Sequence, residues 1–310
     1  MRVFVTGAAG FIGSHICEIL LQDGTEVVGF DNFSSGNTRI AGVTMIIGDI
    51  RNFDDVLVAM RDCTHIVHLA ALASVPASVA NPSLSEAINL QGTLNVIEAA
   101  KQNSAKRIVF SSTAAIYGDS TDSPVTELTT ANCQSPYAED KLAAEVAVLH
   151  SGIEAISLRY FNVHGPRQDP NGAYAAVIPA FIQKMMNHQS PTIFGNGEAT
   201  RDFVSVADVA ALNLAALTTD NSEALGEVFN VASGSTMPVL ELFNTLRTML
   251  GEKEAKINSL EPNFAPPREG DILHSSASIE KARKLLGFNP ETNHHLALSA
   301  TVEAYWDRCD

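Results

Sequence analysis

Short apolar runs alternate with helix-patterned stretches through the first half of the chain. Residues 2–6, 26–31, 44–47, 65–69, 107–111 and 155–160 are continuous apolar or β-branched runs with no period-two alternation. That is how strands covered on both faces read. Helical spacing fills the gaps over 11–21, 53–61, 84–102 and 137–150. Strand–helix alternation of this kind predicts an α/β fold with a doubly wound parallel sheet. Beyond residue 160 the pattern loosens. Residues 165–172 form a loop, 190–201 and 263–270 are rich in Gly and Pro, and helices return over 207–217, 240–250 and 277–286. The expected division is a first domain over 1–164, to which 202–231 returns, and a smaller C-terminal substrate lobe made from 165–201 and 232–310.

Composition narrows the function classes. Of 310 residues, 45% are hydrophobic and 18% charged, a globular balance and not a disordered one. Twenty basic against 35 acidic side chains leave a net charge of −15. Such a surface repels phosphate backbones and anionic lipid, so neither nucleic acid nor membrane is an expected partner. An anionic ligand must then be met by individual cations or by backbone N–H groups. Cys17, Cys63, Cys133 and Cys309 are scattered with no CxxC pair. No metal site and no disulfide framework is expected, which fits reduced thiols in a cytoplasmic protein. No charged leader opens the sequence, and no apolar run reaches the ~20 residues of a membrane span.

The first chemical signal is Thr6-Gly7-Ala8-Ala9-Gly10-Phe11-Ile12-Gly13, which joins the first strand to the first helix. Gly7 suits a tight turn, Gly10 lets backbone approach a pyrophosphate, and Gly13 lets helix and strand pack closely. The helix N-terminus, with Phe11 and Ile12, then offers N–H donors to the phosphates. This is the dinucleotide fingerprint of a Rossmann domain, in the strand–turn–helix context it requires. Asp31 ends the second strand, beside Asn32, where a carboxylate accepts the adenosine ribose hydroxyls and repels a 2′-phosphate. NAD is therefore expected over NADP. Asp49 and Ile50 follow the third strand, either to bracket the adenine or, for Asp49, to cap the next helix.

The second signal is Ser135-Pro136-Tyr137-Ala138-Glu139-Asp140-Lys141. Tyr137 and Lys141 stand four apart at a helix start, so both face the same way. A phenol titrates near ~10 and is a poor base unaided; an ammonium beside it, and a cationic nicotinamide, would lower that value. The pair follows a strand ending Phe110-Ser111-Ser112-Thr113, so a strand-tip hydroxyl can meet the phenol over one reacting carbon. Ligands of doubly wound sheets bind at these strand ends.

With both signals in place, the chain resembles the extended short-chain dehydrogenase/reductase family, and within it the UDP-glucose and UDP-N-acetylglucosamine 4-epimerases. The likeness covers nearly the whole chain. It rests on residues 6–13, on His68-Leu69-Ala70-Ala71, on Asn89 and on Ser111-Ser112-Thr113-Ala114-Ala115-Ile116-Tyr117-Gly118. It continues through residues 135–141, 158–167, Arg201-Asp202-Phe203 and 267–271. The resemblance implies a retained NAD, held also by Leu69, Ala70, Ala71, Asn89, Ser111, Tyr160, Tyr137 and Lys141. Tyr137 would take the proton of the sugar 4-hydroxyl while hydride passes to nicotinamide, and the 4-keto sugar would then turn over. Thr113 would share the hydrogen bond to the 4-oxygen, in place of the Ser of many relatives, and Ser112 would line the same tip.

For the UDP-sugar, the resemblance implies contacts from Asn162, from backbone near Ala176 and Val177, from Arg201 and Arg268 to the diphosphate, and from Asp271 to the uridine ribose. Ser275 stands where several glucose-specific relatives carry a bulky Tyr, so it would leave room for an N-acetyl group. The plainer expectation is that Ser275 caps the helix over 277–286. The resemblance also implies a homodimer built from the helices over 84–102 and 137–150. Nucleotide-sugar 4,6-dehydratases carry an Asp-Glu pair where this chain has Ala114-Ala115. Decarboxylating relatives, which act on UDP-glucuronate, need a carboxylate anchor, and no extra cation near residues 112–117 supplies it. A non-catalytic NAD-binding sensor would need neither Tyr137 nor Lys141.

Overall fold

The computed structural model describes residues 1–170, 176–267, 273–291 and 293–307. Its strands are β1 (Arg2–Thr6), β2 (Glu26–Asp31), β3 (Thr44–Ile47), β4 (His65–His68), β5 (Arg107–Thr113), β6 (Glu154–Tyr160), β7 (Asn162–His164), β8 (Thr192–Phe194), β9 (Thr200–Ser205), β10 (Glu227–Val231), β11 (Thr236–Pro238) and β12 (Asn263–Ala265). The helices are α1 (Phe11–Gln22), α2 (Phe53–Ala59), α3 (Val75–Ala80), α4 (Pro82–Glu86), α5 (Gly92–Gln102), α6 (Pro136–Leu149), α7 (Val177–Met186), α8 (Val206–Thr218), α9 (Val239–Lys253), α10 (Glu280–Leu286) and α11 (His294–Trp306).

Seven strands make one wholly parallel sheet in the order β10-β6-β5-β4-β1-β2-β3. The order reverses between β1 and β4, which opens a crevice at the carboxyl ends of those strands, the place where doubly wound sheets bind ligands. The fold is thus the α/β class that the apolar runs predict. Val3, Val5, Val109 and Ile156 pack one face of the sheet with α1 and α8; Phe4, Val28, Ile108 and Phe110 pack the other with α2, α5 and α6. β10 comes from the later half of the chain and lies against β6, with Val231 opposite Tyr160. A separate core, including Phe181, Phe243, Leu246 and Tyr305, joins α7, α9 and α11.

Helix α6 is fixed by local and buried contacts together. Ser135 caps it by accepting the Ala138 N–H at 3.3 Å, and Pro136 occupies its first turn. Inside, Glu145 accepts Arg159 Nη2 at 2.6 Å and Ser157 Oγ at 2.9 Å, so both its oxygens are used against β6. Glu145 and Arg159 are both buried, and removing either would strand the other charge in the core.

Two helices differ from the sequence pattern. The stretch 84–102 is not continuous: a π-helical turn, Ala87–Gln91, separates α4 from α5. There Asn89 turns inward to serve the loop after β4, a demand that apolar periodicity does not register. The helix expected over 277–286 begins only at Glu280. Residues 276–278 are extended instead, because Ser276 O and Ser278 N both bond to Val125, at 3.0 and 2.9 Å.

Candidate active site

Backbone contact shapes the cofactor end. Gly7 takes φ +70°, and a Cβ there would lie 2.9 Å from Ala70 N, on the loop after β4. A Cβ on Gly13 would lie 2.0 Å from Gly7 O. Bare backbone therefore seats α1 on the tip of β1 with its N-terminal turn at the crevice. Behind it Thr6 Oγ1 accepts the Leu69 and Ala70 N–H groups, both at 3.1 Å, and donates to His68 Nδ1 at 2.6 Å. His68 Nε2 donates in turn to Thr93 Oγ1 at 3.0 Å, whose own proton goes to Asn89 O at 2.6 Å. Burial holds the His68 pKa down to about 3, so this relay stays neutral.

The crevice encloses about 920 Å³. Its walls include Gly7, Gly10, Phe11, Ile12 and Gly13, then Leu69, Ala70 and Ala71, and Ser111 and Tyr160. Asp31, Asn32, Asp49 and Ile50 line it as well. Asp31 is anchored through both oxygens, accepting Ala9 N at 2.9 Å and Phe33 N at 2.8 Å. Asp49 caps no helix, because Asn52 is the cap of α2. Its carboxylate is gripped by Arg51 Nη2 at 2.7 Å and Asn32 Nδ2 at 3.0 Å, and the Arg51 hydrogen bond pulls its pKa far below the usual range. Asn89 does not reach the crevice: its Oδ1 accepts Leu72 N at 2.8 Å, and its Nδ2 donates to Ser85 Oγ at 3.2 Å. It shapes a wall and does not form one. Tyr160 lends its ring only, since its hydroxyl bonds Asn213 on α8. A glycine cradle, a helix N-terminus and an acid anchored on the glycine turn itself, all lining one long crevice, fit a dinucleotide.

The reactive groups sit at the β5 tip. Tyr137 and Lys141 enter the crevice from α6, and Ser112 and Thr113 from β5. Thr113 stands beside the Tyr137 phenol and favours its ionised form. Ser112 is buried, and its Oγ has no partner among the described residues. The expected effect of Lys141 on the phenol is not what the protein groups produce. Burial raises the Tyr137 pKa, opposed only by Thr113. Burial also lowers Lys141, to about 7, against an upward pull from Glu145 one turn on. Its Nζ lies 4.2 Å from the centre of the Phe110 ring. A positive charge in the crevice would favour the ionised phenol, and the cationic nicotinamide ring of NAD would supply one.

A second cavity of about 670 Å³ continues from the first, the two sharing Phe161, Val163 and Gln168. Asn162, Ala176, Val177 and Arg201 all line it. Asn162 Nδ2 is tied to Asp202 O at 3.0 Å. Arg268 and Asp271 lie outside the described residues. Ser275 lines neither cavity: its N–H donates to Thr200 O at 3.1 Å, one residue from Arg201. The alternative role as a helix cap is excluded, because α10 starts five positions later. Many lining residues have no counterpart among the sequence-based candidates, among them three long polar side chains. Arg51 grips Asp49, Lys184 projects from α7, and Gln168 stands at the junction. Gln168 Nε2 donates to Val163 O at 3.2 Å, while its buried Oε1 has no partner among the described residues. Its one signal in the sequence is a polar residue in the loop between the two halves.

Residues 3–232 match the model of the NAD dependent epimerase/dehydratase family. The chain belongs to that family. It is 35% identical over 318 residues to a UDP-glucose 4-epimerase of Mycolicibacterium smegmatis, covering 98% of each. Among solved structures it is similar to a UDP-glucose 4-epimerase of Thermotoga maritima with UDP-glucose, at a TM-score of 0.93 and 34% identity, covering 100% of both chains. It is also similar to a UDP-N-acetylglucosamine 4-epimerase of Methanobrevibacter ruminantium in complex with UDP-N-acetylmuramic acid, at 0.91 and 36%, covering 99% of this chain and 98% of that one. No described helix is long and apolar enough to cross a membrane.

Asp31 yields a test of cofactor choice in this NAD-dependent chain. Nucleotide released by denaturing the purified protein should be NAD. Asp31→Asn removes the charge and keeps an acceptor for the turn, so the extract should then contain NADP as well. An unchanged NAD-to-NADP ratio in the variant would remove Asp31 as the discriminator.

Proposed function

We propose that the chain is a cytoplasmic 4-epimerase of UDP-hexoses that keeps NAD bound between turnovers. One observation carries this reading: Tyr137 and Thr113 line the dinucleotide crevice, and that crevice adjoins the Arg201-lined cavity through Phe161, Val163 and Gln168. Residues 1–164 with 202–231 serve as the NAD-binding domain, and the remaining segments as the lobe for the nucleotide. When bound, NAD supplies the acceptor for the hydride from sugar C4 and its donor on return to the opposite face. Tyr137, as phenolate, takes the proton of the 4-hydroxyl as that hydrogen leaves and gives it back at the end. Thr113 shares the bond to the 4-oxygen and fixes its distance from the phenol. Lys141 would hold the nicotinamide ribose, and Ser112 closes the wall beside it. Asn162, Arg201, Arg268 and Asp271, with backbone near Ala176 and Val177, hold the UDP.

The two residues after Thr113 disfavour elimination. Ala114 and Ala115 form a 3₁₀ turn, with Ala115 N donating to Thr113 Oγ1 at 3.1 Å, and neither offers an acid or a base. Incubation with UDP-glucose, UDP-galactose and both N-acetyl counterparts, with product analysis, tests the reading. Interconversion is expected in at least one pair; loss of water from the sugar would overturn it. Tyr137→Phe should keep NAD and UDP binding while turnover falls ~10²–10⁴-fold. Turnover near the parent's would show that another group is the base.

Ser275 is the proposed gate at the sugar 2-substituent. Its backbone is tied beside Arg201, which supports nearness to the ligand. Similarity to the methanogen UDP-N-acetylglucosamine 4-epimerase supports acetylated substrates. Ser275→Tyr should suppress activity on UDP-N-acetylglucosamine and spare activity on UDP-glucose, since overpacking a tight site costs about 1–3 kcal/mol. Equal loss on both substrates would exclude the gate.

A homodimer through α5 and α6 completes the proposal. Leu94 on α5 and Val146 on α6 remain 38% and 47% exposed on adjoining helices, a pattern that a partner face would cover. Sedimentation at micromolar concentration should give twice the chain mass, and a monomer alone would dismiss this interface.

A further inference from the structure

The helix that bears the dinucleotide turn has a second occupied face. Phe11, His15 and Glu18 lie at i, i+4 and i+7 on α1, one stripe running back from the crevice. Three consecutive loop residues dock along that stripe. A Cβ on Gly165 would lie 2.3 Å from Val206 Cγ1 and 3.5 Å from the Phe11 ring, so the loop presses on the start of α1 and on α8. His15 Nε2 lies 2.9 Å from Pro166 O, and the His15 ring packs edge-on against Phe11 at 5.9 Å. Arg167 sits at φ +69°, a backbone state that non-glycine residues avoid, and delivers both terminal guanidinium nitrogens to Glu18, Nη1 at 2.7 Å and Nη2 at 2.6 Å. Directly after Arg167 come Gln168, at the junction of the two cavities, and Asp169 on the cofactor crevice.

We propose that the Phe11, His15 and Glu18 stripe is a docking rail on the cofactor helix, and that its fork with Arg167 is a positioning device that holds Gln168 at the sugar. The inference rests on the epimerase reading for its substrate, and the fork it adds, Glu18 with Arg167, lines neither cavity. Two features separate it from an ordinary surface ion pair. The fork is bidentate, so it fixes direction as well as distance. It also holds Arg167 in a disfavoured backbone state, which persists only where neighbouring contacts over-determine it. The helix that presents N–H groups to the dinucleotide and the loop that presents Gln168 to the sugar are thereby one mechanical unit. Freeing the loop should spread Gln168 over many positions, raising the substrate KM while leaving the Tyr137 chemistry and the NAD cradle intact.

The test uses the NAD-loaded enzyme with Glu18→Gln and Arg167→Lys, each of which breaks the charged fork with little change of volume. Glu18→Asp, which keeps the charge, is the rescue. Hydrogen–deuterium exchange over 163–170, steady-state kinetics and NAD content are read together. The expected result is exchange in that segment faster by about tenfold or more, KM for the UDP-sugar higher by roughly 5–20-fold, and kcat and NAD content within about twofold of the parent, with Glu18→Asp between variant and parent. Unchanged exchange, or faster exchange with KM unmoved, overturns the proposal. So does a lower melting temperature as the sole effect. If the parent enzyme turns over no UDP-sugar, the epimerase reading falls. The docking rail is then decided by the exchange data and by whether UDP affinity, measured by calorimetry, falls in the two variants.

Discussion

Everything at the site depends on how closely α1 approaches β1. With Gly7 O only 2.0 Å from where a Gly13 Cβ would be, no side chain of any size fits between helix and strand tip. The consequence is positional. The free N–H groups of the first turn of α1 face the crevice at the point where strand order reverses, and phosphate can meet them without an intervening side chain. The Thr6, His68 and Thr93 relay then ties that turn to β4 and α5 through buried hydrogen bonds whose members are all satisfied. A fully satisfied buried network of this sort stiffens what surrounds it.

The same approach explains how a chain of net charge −15 offers a home to an anionic cofactor. It uses backbone dipoles where phosphates belong and keeps its acids busy elsewhere. Asp31 is occupied by Ala9 N and Phe33 N, and Asp49 by Arg51 and Asn32. Glu145 is neutralised by Arg159 below the reactive helix. Lys141, drawn down to about 7 by burial, stands as a cation only insofar as Glu145 and bound ligand support it. Its protonation and that of Tyr137 therefore both respond to the charge on whatever fills the crevice.

The sequence is most legible where one residue type answers one backbone demand. β1 and β2 fall on their apolar runs because strands covered on both faces leave no other pattern, and β3 falls on its run although it is the half-exposed edge strand. Glycines 7, 10 and 13, Asp31, Tyr137 and Lys141 all reach one crevice because local spacing and strand order place them there. Legibility fails where a long-range contact overrides the local signal. Asn89 belongs to a π-helical turn serving Leu72, and residues 276–278 are extended by pairing with Val125. Gln168 and Arg51 matter through what the chain folds against them. The acidity of Tyr137 departs from expectation for a related reason: spacing places the ammonium on the right face of α6, but burial decides the sign.

The two ends of the site are built by different physics, and the difference suits an epimerase. At the cofactor end, backbone meets backbone, the relay is buried, and nothing can move far without a clash; such a cradle retains its ligand. At the lobe end, long polar side chains do the work. Asn162 and Arg201 line the wall, and Gln168 keeps a buried acceptor free of any partner among the described residues. Inverting C4 requires that the sugar present both faces to one hydride position while the nucleotide stays bound. Firm anchoring at the diphosphate with adaptable contacts at the sugar meets both needs. A cavity moulded tightly to one sugar face would raise affinity for that face and slow the turn. The loop that carries Gln168 must then be held at its root and left adaptable at its tip, which is the division of labour between Arg167, locked to Glu18, and the residue that comes after it.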